Sequence, residues 1–431
     1  MTETEVLVLG AGPAGIAAAT AAAEHGCDTL LLDDNPSAGG QIWRAGVQDA
    51  GNRRDKQKEA ALHRLALAGA HLRMGWQVFD APRAGVLRGI SGGVVESFAY
   101  RRLILATGAR ELFLPFPGWT LPGVFGAGGL QALVKAGFAV AGKRVAVVGS
   151  GPLLLAVAAH LREYGARIVV VTEQAPLGQL APFALSLLRQ PGKLWQAAGY
   201  RALLRDAAYR TGCWPVAAAG DARVTGLRLT DGRKTWEQPC DLIACGFHLL
   251  PNTEMAVLLG CALNDDAVAV NEQQQTSVES VYCAGEPTGI AGLDGALVQG
   301  TIAGLACAGQ WEKAAALRPR QIAAATFAAR LAQAFRLRDE LRSLAQAHTI
   351  VCRCEDVGYD RLAVCHSWTE AKLQTRCGMG PCQGRICGPA TRIIFGWRPG
   401  SVRPPIYPVP VSAFIESDAC EMTAIAREET E

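Results

Sequence analysis

Val6-Leu-Val-Leu-Gly10-Ala-Gly12-Pro13-Ala14-Gly15 is an apolar strand running straight into G-x-G-x-x-G, and this stretch decides the fold. The alanine-rich segment 16–25 that follows predicts a helix ending at Gly26. A second apolar strand then closes on an acidic residue, Asp33. Strand, glycine turn, helix, strand and terminal acid are the full context that a dinucleotide fingerprint requires. Gly10 allows the tight turn, Gly12 lets backbone approach a pyrophosphate, and Gly15 lets helix pack on strand. The phosphates are expected at the helix N-terminus, where free N–H groups and the helix dipole favour negative charge. Asp33 is placed to accept from ribose hydroxyls, and Asp34 is expected to face solvent.

The pattern recurs. Lys143-Arg-Val-Ala-Val-Val-Gly149-Ser-Gly151-Pro-Leu-Leu154 repeats strand, glycine turn and helix, with a further strand ending at Glu173. Its third glycine is missing, and Leu154 stands in its place. A leucine there pushes the helix off the strand and crowds the phosphate turn. The expectation is a Rossmann-like domain retained without nicotinamide, although a bound nucleotide that donates no hydride stays open.

The stretch 351–389, VCRCEDVGYDRLAVCHSWTEAKLQTRCGMGPCQGRICGP, carries six of the fourteen cysteines. Cys352 and Cys354 form C-x-C, Cys365 and Cys377 stand apart, and Cys382 and Cys387 form a C-x4-C among glycines. Thiolates favour iron–sulfur clusters, zinc or Cu(I). Structural zinc usually shows C-x2-4-C knuckles, and neither half has the x2 spacing. Disulfides suit small secreted scaffolds, not a long chain without an export signal. A [2Fe–2S] cluster held by four cysteines fits best.

With 431 residues the chain has room for two or three domains and sizeable cores. A net charge of +3 calls for neither nucleic acid nor an anionic membrane. The acidic start and the absence of a run of eighteen apolar residues predict a cytoplasmic protein with no membrane span. The cysteines outside the cluster motif read as buried, reduced thiols. No redox pair of cysteines accompanies either glycine turn, and the histidines, His248 and His366 included, form no catalytic constellation. No catalytic acid or base is assigned.

Several motifs carry a resemblance. Leu103-Ile-Leu-Ala106-Thr107-Gly108-Ala-Arg110 resembles the A-T-G strand and turn of flavoproteins with two dinucleotide-binding domains. Thr276-Ser-Val-Glu-Ser-Val-Tyr-Cys-Ala-Gly285-Glu286 resembles their second flavin motif, in which an acidic residue binds the ribityl chain; glutamate replaces the commoner aspartate. The cysteine stretch is similar to the helical domain of bacterioferritin-associated ferredoxin, with C-x4-C in place of its C-x2-C. It looks more like the α subunits of opine oxidase, hydroxyproline dehydrogenase and hydrogen cyanide synthase, with their C-R-C-E and G-M-G-P-C-Q-G-R-x-C signatures. Gly39-Gly40-Gln41-Ile42 resembles the loop beneath the flavin in those subunits. Pro115-Phe-Pro-Gly-Trp119-Thr-Leu-Pro122-Gly-Val124 resembles their domain junction, shared with the sarcosine oxidase α chain.

The resemblance implies an α/β flavoprotein with two Rossmann-like dinucleotide-binding domains and a C-terminal helical [2Fe–2S] domain. The expected divisions are 1–114 and 266–315 for a discontinuous FAD domain, 115–265 for the second nucleotide domain, and 316–431 for linker, cluster domain and arm. Over 318–348 the spacing predicts one or two amphipathic helices. FAD is assigned to Gly10, Gly12, Pro13, Ala14, Gly15, Asp33, Gly40, Gln41, Ala106, Thr107, Gly108, Gly285 and Glu286. The cluster is assigned to Cys352, Cys354, Cys382 and Cys387, with Cys365 and Cys377 as bystanders and Cys377 as the rival ligand. A second nucleotide or flavin (FMN) in the complex is left open.

The function implied is the electron-transferring α subunit of a heteromeric, dye-linked amine or imino-acid dehydrogenase. Its β flavoprotein partner, of the amine-oxidase or sarcosine-oxidase type, oxidises hydroxyproline, proline, an opine or glycine. Electrons leave through FAD and cluster to an acceptor such as quinone. The resemblance leaves room for a small γ subunit and for peripheral attachment at the inner membrane through partners. Two other readings remain at this level: a self-contained NAD(P)H-dependent reductase, and a non-enzymatic redox-sensing protein.

Overall fold

Strand β1 (Thr2–Leu9) is buried without alternation from Val6 to Leu9, as expected for a strand covered on both faces. The computed structural model describes residues 1–44, 53–398 and 401–415. Helix α1 (Pro13–Ala23) returns the chain to β2 (Thr29–Asp33), parallel to β1 with Val6 opposite Thr29. Helix α2 (Arg53–Leu67) and β3 (His71–Met74) extend that edge. Strands β4 (Gln77–Arg83), β5 (Val86–Ser91) and β6 (Val94–Leu105) then form an antiparallel excursion. The first half of β6 belongs to that excursion. Its second half returns to the core and runs parallel to β1, with Leu7 opposite Leu103.

After β7 (Ala109–Glu111) the chain enters the second domain through β8 (Val124–Gly126) and α3 (Ala127–Lys135). There β9 (Arg144–Gly149), α4 (Leu153–Glu163), β10 (Arg167–Glu173), the helices α5 (Leu177–Ser186) and α6 (Pro191–Leu203), and β11 (Ala208–Thr211) repeat the first winding. A three-stranded antiparallel sheet, β12 (Trp214–Ala219), β13 (Gly226–Thr230) and β14 (Thr235–Pro239), precedes β15 (Leu242–Gly246). The parallel sheet has the order β11-β10-β9-β15-β8. Strand β16 (Leu249–Pro251) pairs with β7, so the two crossings between domains lie side by side.

Helix α7 (Glu254–Leu258) and the hairpin of β17 (Leu263–Asn264) and β18 (Ala267–Val268) lead back to β19 (Val281–Cys283), which joins the first sheet beside β6. Helix α8 (Gly292–Cys307) then lies on α1 at backbone contact. A Cβ on Gly300 would stand 2.1 Å from the Ala14 carbonyl oxygen, and one on Gly304 would stand 2.2 Å from that of Ala18. The alanines of α1 and the glycines of α8 are two halves of one close approach.

Beyond α9 (Trp311–Ala316), α10 (Arg318–Ala334) is the single long helix of the linker, and a short 3-10 turn follows at Asp339–Ser343. The cysteine domain pairs β20 (Ile350–Cys352) with β21 (Val357–Gly358) and carries the short helices α11 (Tyr359–Ala363), α12 (Trp368–Thr375) and α13 (Cys387–Phe395). Residues 401–415 run as an arm over the first domain, where the Ile406 N–H donates to the Phe79 carbonyl at 2.8 Å and Ile406 is buried.

Candidate cofactor sites

The three glycines of the first turn are required for different reasons. Gly10 has φ +107°, and a Cβ there would stand 2.3 Å from the Ala106 carbonyl oxygen; on Gly15 it would stand 1.7 Å from that of Gly10. Both are dictated by the protein itself. Gly12 is not: its φ is −78°, and the nearest atom to an added Cβ is the Gly40 Cα at 4.0 Å. The space above Gly12 has no protein occupant, and α1 begins there with Pro13 in its first turn and no capping side chain. That is the cradle a pyrophosphate fits.

Asp33, 7% exposed, ends β2 beside this turn. Its Oδ2 accepts from the Ala11 N–H at 2.6 Å, and its Oδ1 from the Asn35 N–H and Nδ2 at 2.8 and 2.7 Å. A carboxylate offers about four acceptor sites, so one is left for a ribose hydroxyl. Asp34 is exposed. Gly40 packs against the side of Gly12, where a Cβ on Gly40 would stand 3.0 Å from the Gly12 Cα; the Gly39 N–H to the Ala11 carbonyl at 2.8 Å holds it there, and Gln41 beyond it is exposed.

The A-T-G turn is tied to the return crossing at Asn252. The Thr107 hydroxyl donates to the Asn252 carbonyl at 2.7 Å, and Asn252 Nδ2 returns a bond to the Thr107 carbonyl at 2.9 Å. Ala106 supplies the carbonyl against which Gly10 is packed, and Gly108 turns at φ +68°. Gly285, at φ +80°, is wedged against α1, 2.8 Å from the Ala14 Cβ to an added Cβ, with its N–H held by Gln299 at 2.9 Å. Glu286 follows, half-buried, with its carboxyl pushed up by burial and no protein partner among the described residues. A half-buried carboxyl without a protein donor suits ligand hydroxyls there. Trp43 Nε1 is a buried polar atom in this domain without a partner. The space over Gly12 and these two groups are a chemical fit to FAD.

The sequence reading missed Glu111. Its carboxylate accepts from the Gly128 and Gly129 N–H groups at 2.6 and 3.1 Å, at the N-terminus of α3, and burial raises its pKa. A charge in an otherwise apolar stretch ahead of a glycine-rich helix start is the signal that could have found it.

In the second turn a Cβ on Gly149 would stand 1.9 Å from the Gly246 carbonyl oxygen. Leu154 is buried in a core with Val147, Val157 and Leu161. Glu173, 1% exposed, ends β10 where Asp33 ends β2. Its Oε2 accepts from the Gly151 N–H at 2.7 Å, and its Oε1 lies 2.9 Å from the Ala175 N–H and 3.1 Å from the Ser150 hydroxyl. Burial pushes its carboxyl up to about 7.

Five cysteines converge in the C-terminal domain. The sulfurs of Cys352, Cys377 and Cys387 are buried and lie within 4.8 Å of one another. Cys354 and Cys382 adjoin them on the solvent side, with the Cys382 N–H directed to the Cys354 sulfur. The glycines make this possible. A Cβ on Gly380 would stand 2.3 Å from the Cys354 Cβ, and Cβ atoms on Gly378 and Gly384 would stand 2.6 and 3.0 Å from the Trp368 indole. The Cys352 thiol is held down at about 2 by hydrogen bonds from Cys377 and Cys387 and from the Gly378 and Glu355 N–H groups. Cys377, expected to stand aside, is inside the buried trio. Cys365 is outside it, its thiol donating to the Arg361 carbonyl at 3.6 Å. Three buried sulfurs within 4.8 Å of one another fit a metal or iron–sulfur centre.

Arg385, between Cys382 and Cys387 in the chain, links this loop to the first domain. Its Nε is 3.8 Å from Glu254, and Glu254 is 2.8 Å from Arg110, beside the A-T-G turn. Its guanidinium also covers the Tyr407 ring at 4.3 Å. Elsewhere, Cys213, Cys240, Cys245, Cys261, Cys283 and Cys307 are buried, and burial raises the pKa of each. All six, and Cys27, are free thiols. No helix among the described residues is long and apolar enough to cross a membrane.

The profile of the pyridine nucleotide-disulphide oxidoreductase family matches residues 4–310. The HcnB subunit of hydrogen cyanide synthase from Pseudomonas protegens is 30% identical, over 96% of this chain and 97% of its own length. The corresponding subunit of opine oxidase from Rhizobium meliloti is 33% identical, over 90% of this chain and 91% of its own. Among solved structures, the L-proline dehydrogenase of P. horikoshii superposes with a TM-score of 0.69 at 17% identity, covering 96% of this chain and 79% of that one. That likeness is one of fold.

Proposed function

The chain belongs to the pyridine nucleotide-disulphide oxidoreductase family, among the subunits of heteromeric enzymes that include hydrogen cyanide synthase and opine oxidase, and from that premise we propose that it is the electron-transferring subunit of an amine or imino-acid dehydrogenase. A partner flavoprotein would oxidise the C–N bond of proline, hydroxyproline, an opine or glycine. The names of the relatives support this class of substrate: hydrogen cyanide synthase, opine oxidase and, at the level of fold, L-proline dehydrogenase. Cofactors of the expected kinds would supply a flavin, which exchanges two electrons or one, and a cluster, which exchanges one at a time.

The chain's own residues hold and separate these centres. The α1 N-terminus and Gly12 would receive the FAD pyrophosphate, Asp33 the ribose and Glu286 the ribityl hydroxyls. Cys352, Cys354, Cys382 and Cys387 are proposed as cluster ligands, with Cys377 packed among them. The observation that carries the reading is the junction between the two sites: Arg385 in the cysteine loop, Glu254, and Arg110 beside the A-T-G turn form one chain of charges. Electron transfer needs such fixed positioning and no general base.

The test is co-purification. A tagged chain expressed with its neighbouring genes is expected to bring down a second flavoprotein, and dye-linked oxidation of one of these substrates should require both. A pure preparation of this chain alone that oxidised the substrate at the rate of the complex would overturn the proposal. Bleaching of its flavin by NADH or NADPH would instead favour a self-contained reductase.

A further inference from the structure

In open parallel sheets a ligand lies in the crevice outside the carboxyl ends of the strands, where the strand order reverses. In the second sheet that place is between β9 and β15, with β10 on its other flank. All three strands end there on donors or acceptors aimed at one piece of the chain's own linker. After β9, the Ser150 hydroxyl lies 3.1 Å from the Phe335 carbonyl oxygen. After β15, His248 Nε2 lies 2.9 Å from the same oxygen. After β10, Gln174 Nε2 donates to the Arg336 carbonyl at 3.2 Å, while its Oε1 accepts from the Arg338 N–H at 3.1 Å. From α5, Gln179 Nε2 reaches the carbonyls of Ala334 and Arg336 at 3.1 and 3.3 Å.

We infer that residues 335–338 are the resident ligand of the second dinucleotide fold, and that they keep nicotinamide and adenine nucleotides out of it. The segment offers carbonyl oxygens to hydroxyl, imidazole and amide donors that would otherwise meet phosphate and ribose oxygens. Because a carbonyl only accepts, the proton of neutral His248 is on Nε2, and burial holds the pKa of that histidine below its ordinary value. Glu173, the acceptor a ribose would need, is already engaged by the N–H groups of Gly151 and Ala175.

The segment is anchored at both ends. Phe335 is 7% exposed with its ring 5.6 Å from Phe183, and the Arg338 guanidinium stacks 3.6 Å over Trp214. Just downstream, Leu341 and Leu344 enter the same apolar core as Val148 and Cys245. This also accounts for the break in the linker helix after Ala334, where the sequence has neither glycine nor proline. The backbone carbonyls beyond it bond to the second domain instead of continuing the helix. The inference stands on the second sheet alone and holds whatever the partner oxidises.

Hydrogen exchange of the Arg338 amide and equilibrium binding of NADH, NADPH and MgATP test it on the full-length flavoprotein. In the unaltered protein the amide is expected to be protected, and none of the three nucleotides should bind at this turn. In a Gln174→Ala/Gln179→Ala variant, exchange should rise roughly a hundredfold to a thousandfold, the effect of the four hydrogen bonds lost. At least one nucleotide should then bind. An Arg338 amide that exchanges freely in the unaltered protein would overturn the inference. So would a nucleotide photolabel attaching to the 149–174 turn of that protein, or an opened variant that binds none of the three.

Discussion

Gly12→Ala and Gly15→Ala should separate what the first glycine turn does for the fold from what it does for a ligand. At Gly15 the added methyl would stand 1.7 Å from the Gly10 carbonyl oxygen, a backbone atom that cannot swing aside. Overpacking of this kind costs about 1–3 kcal/mol, and at roughly 2–4 °C per kcal/mol the Tm should fall by about 2–12 °C. At Gly12 the same methyl has 4.0 Å to the Gly40 Cα and an ordinary φ, so folding should change by only a few tenths of a kcal/mol. A methyl there projects into the space proposed for the pyrophosphate. Lifting an anion off two N–H donors, each worth about 1.5–3 kcal/mol to a charged acceptor, would weaken FAD binding by about two to four orders of magnitude. The assay pairs thermal denaturation of the FAD-stripped protein with fluorescence titration of FAD. A folded Gly12→Ala protein with unchanged Kd would refute the assignment of the cradle, and an unchanged Tm for Gly15→Ala would refute the packing argument.

Serine at Cys352, Cys354, Cys382 or Cys387 should remove the iron and the reduced-state EPR signal, while Cys365→Ser keeps both. If Cys377→Ser loses iron and Cys387→Ser retains it, the proposed ligand set is wrong. Burial raises the Glu173 carboxyl from 4.5 to about 7, so the stability it contributes is complete below about pH 4.5 and is lost as pH climbs through 7, about 3 kcal/mol in all. Urea denaturation of Glu173→Gln against the unaltered protein should show a difference that changes by that amount across the window; a pH-independent difference would contradict it. Glu254→Gln leaves Arg110 and Arg385 facing one another without a counter-charge. Stability should fall by about 1–2 kcal/mol, given the partial exposure of the pair, and the cluster potential should rise because a nearby negative charge is gone. An unchanged midpoint in a redox titration would show that Glu254 does not influence the cysteine loop.

Local features were legible in the chain alone because each is a matter of spacing. A strand, a turn with glycines at set intervals, and a helix determine one another over fifteen residues, so the two Rossmann-like windings could be read directly. The glycines of 378–384 marked a tight loop among cysteines for the same reason. What tertiary structure decided are contacts between residues far apart in sequence. Cys377 is one residue before a glycine and looks like a bystander, yet the wrap of that loop around Trp368 puts its sulfur within 4.8 Å of those of Cys352 and Cys387. Glu111 becomes a helix cap only when β7 is brought against α3. Periodicity over 318–348 allowed one helix or two, and could not show that the carbonyls after Ala334 would find Ser150, Gln174 and His248. Helical periodicity records which face of a segment is apolar. It carries no record of donors waiting 87 to 185 residues away, and those donors decide where this linker ends.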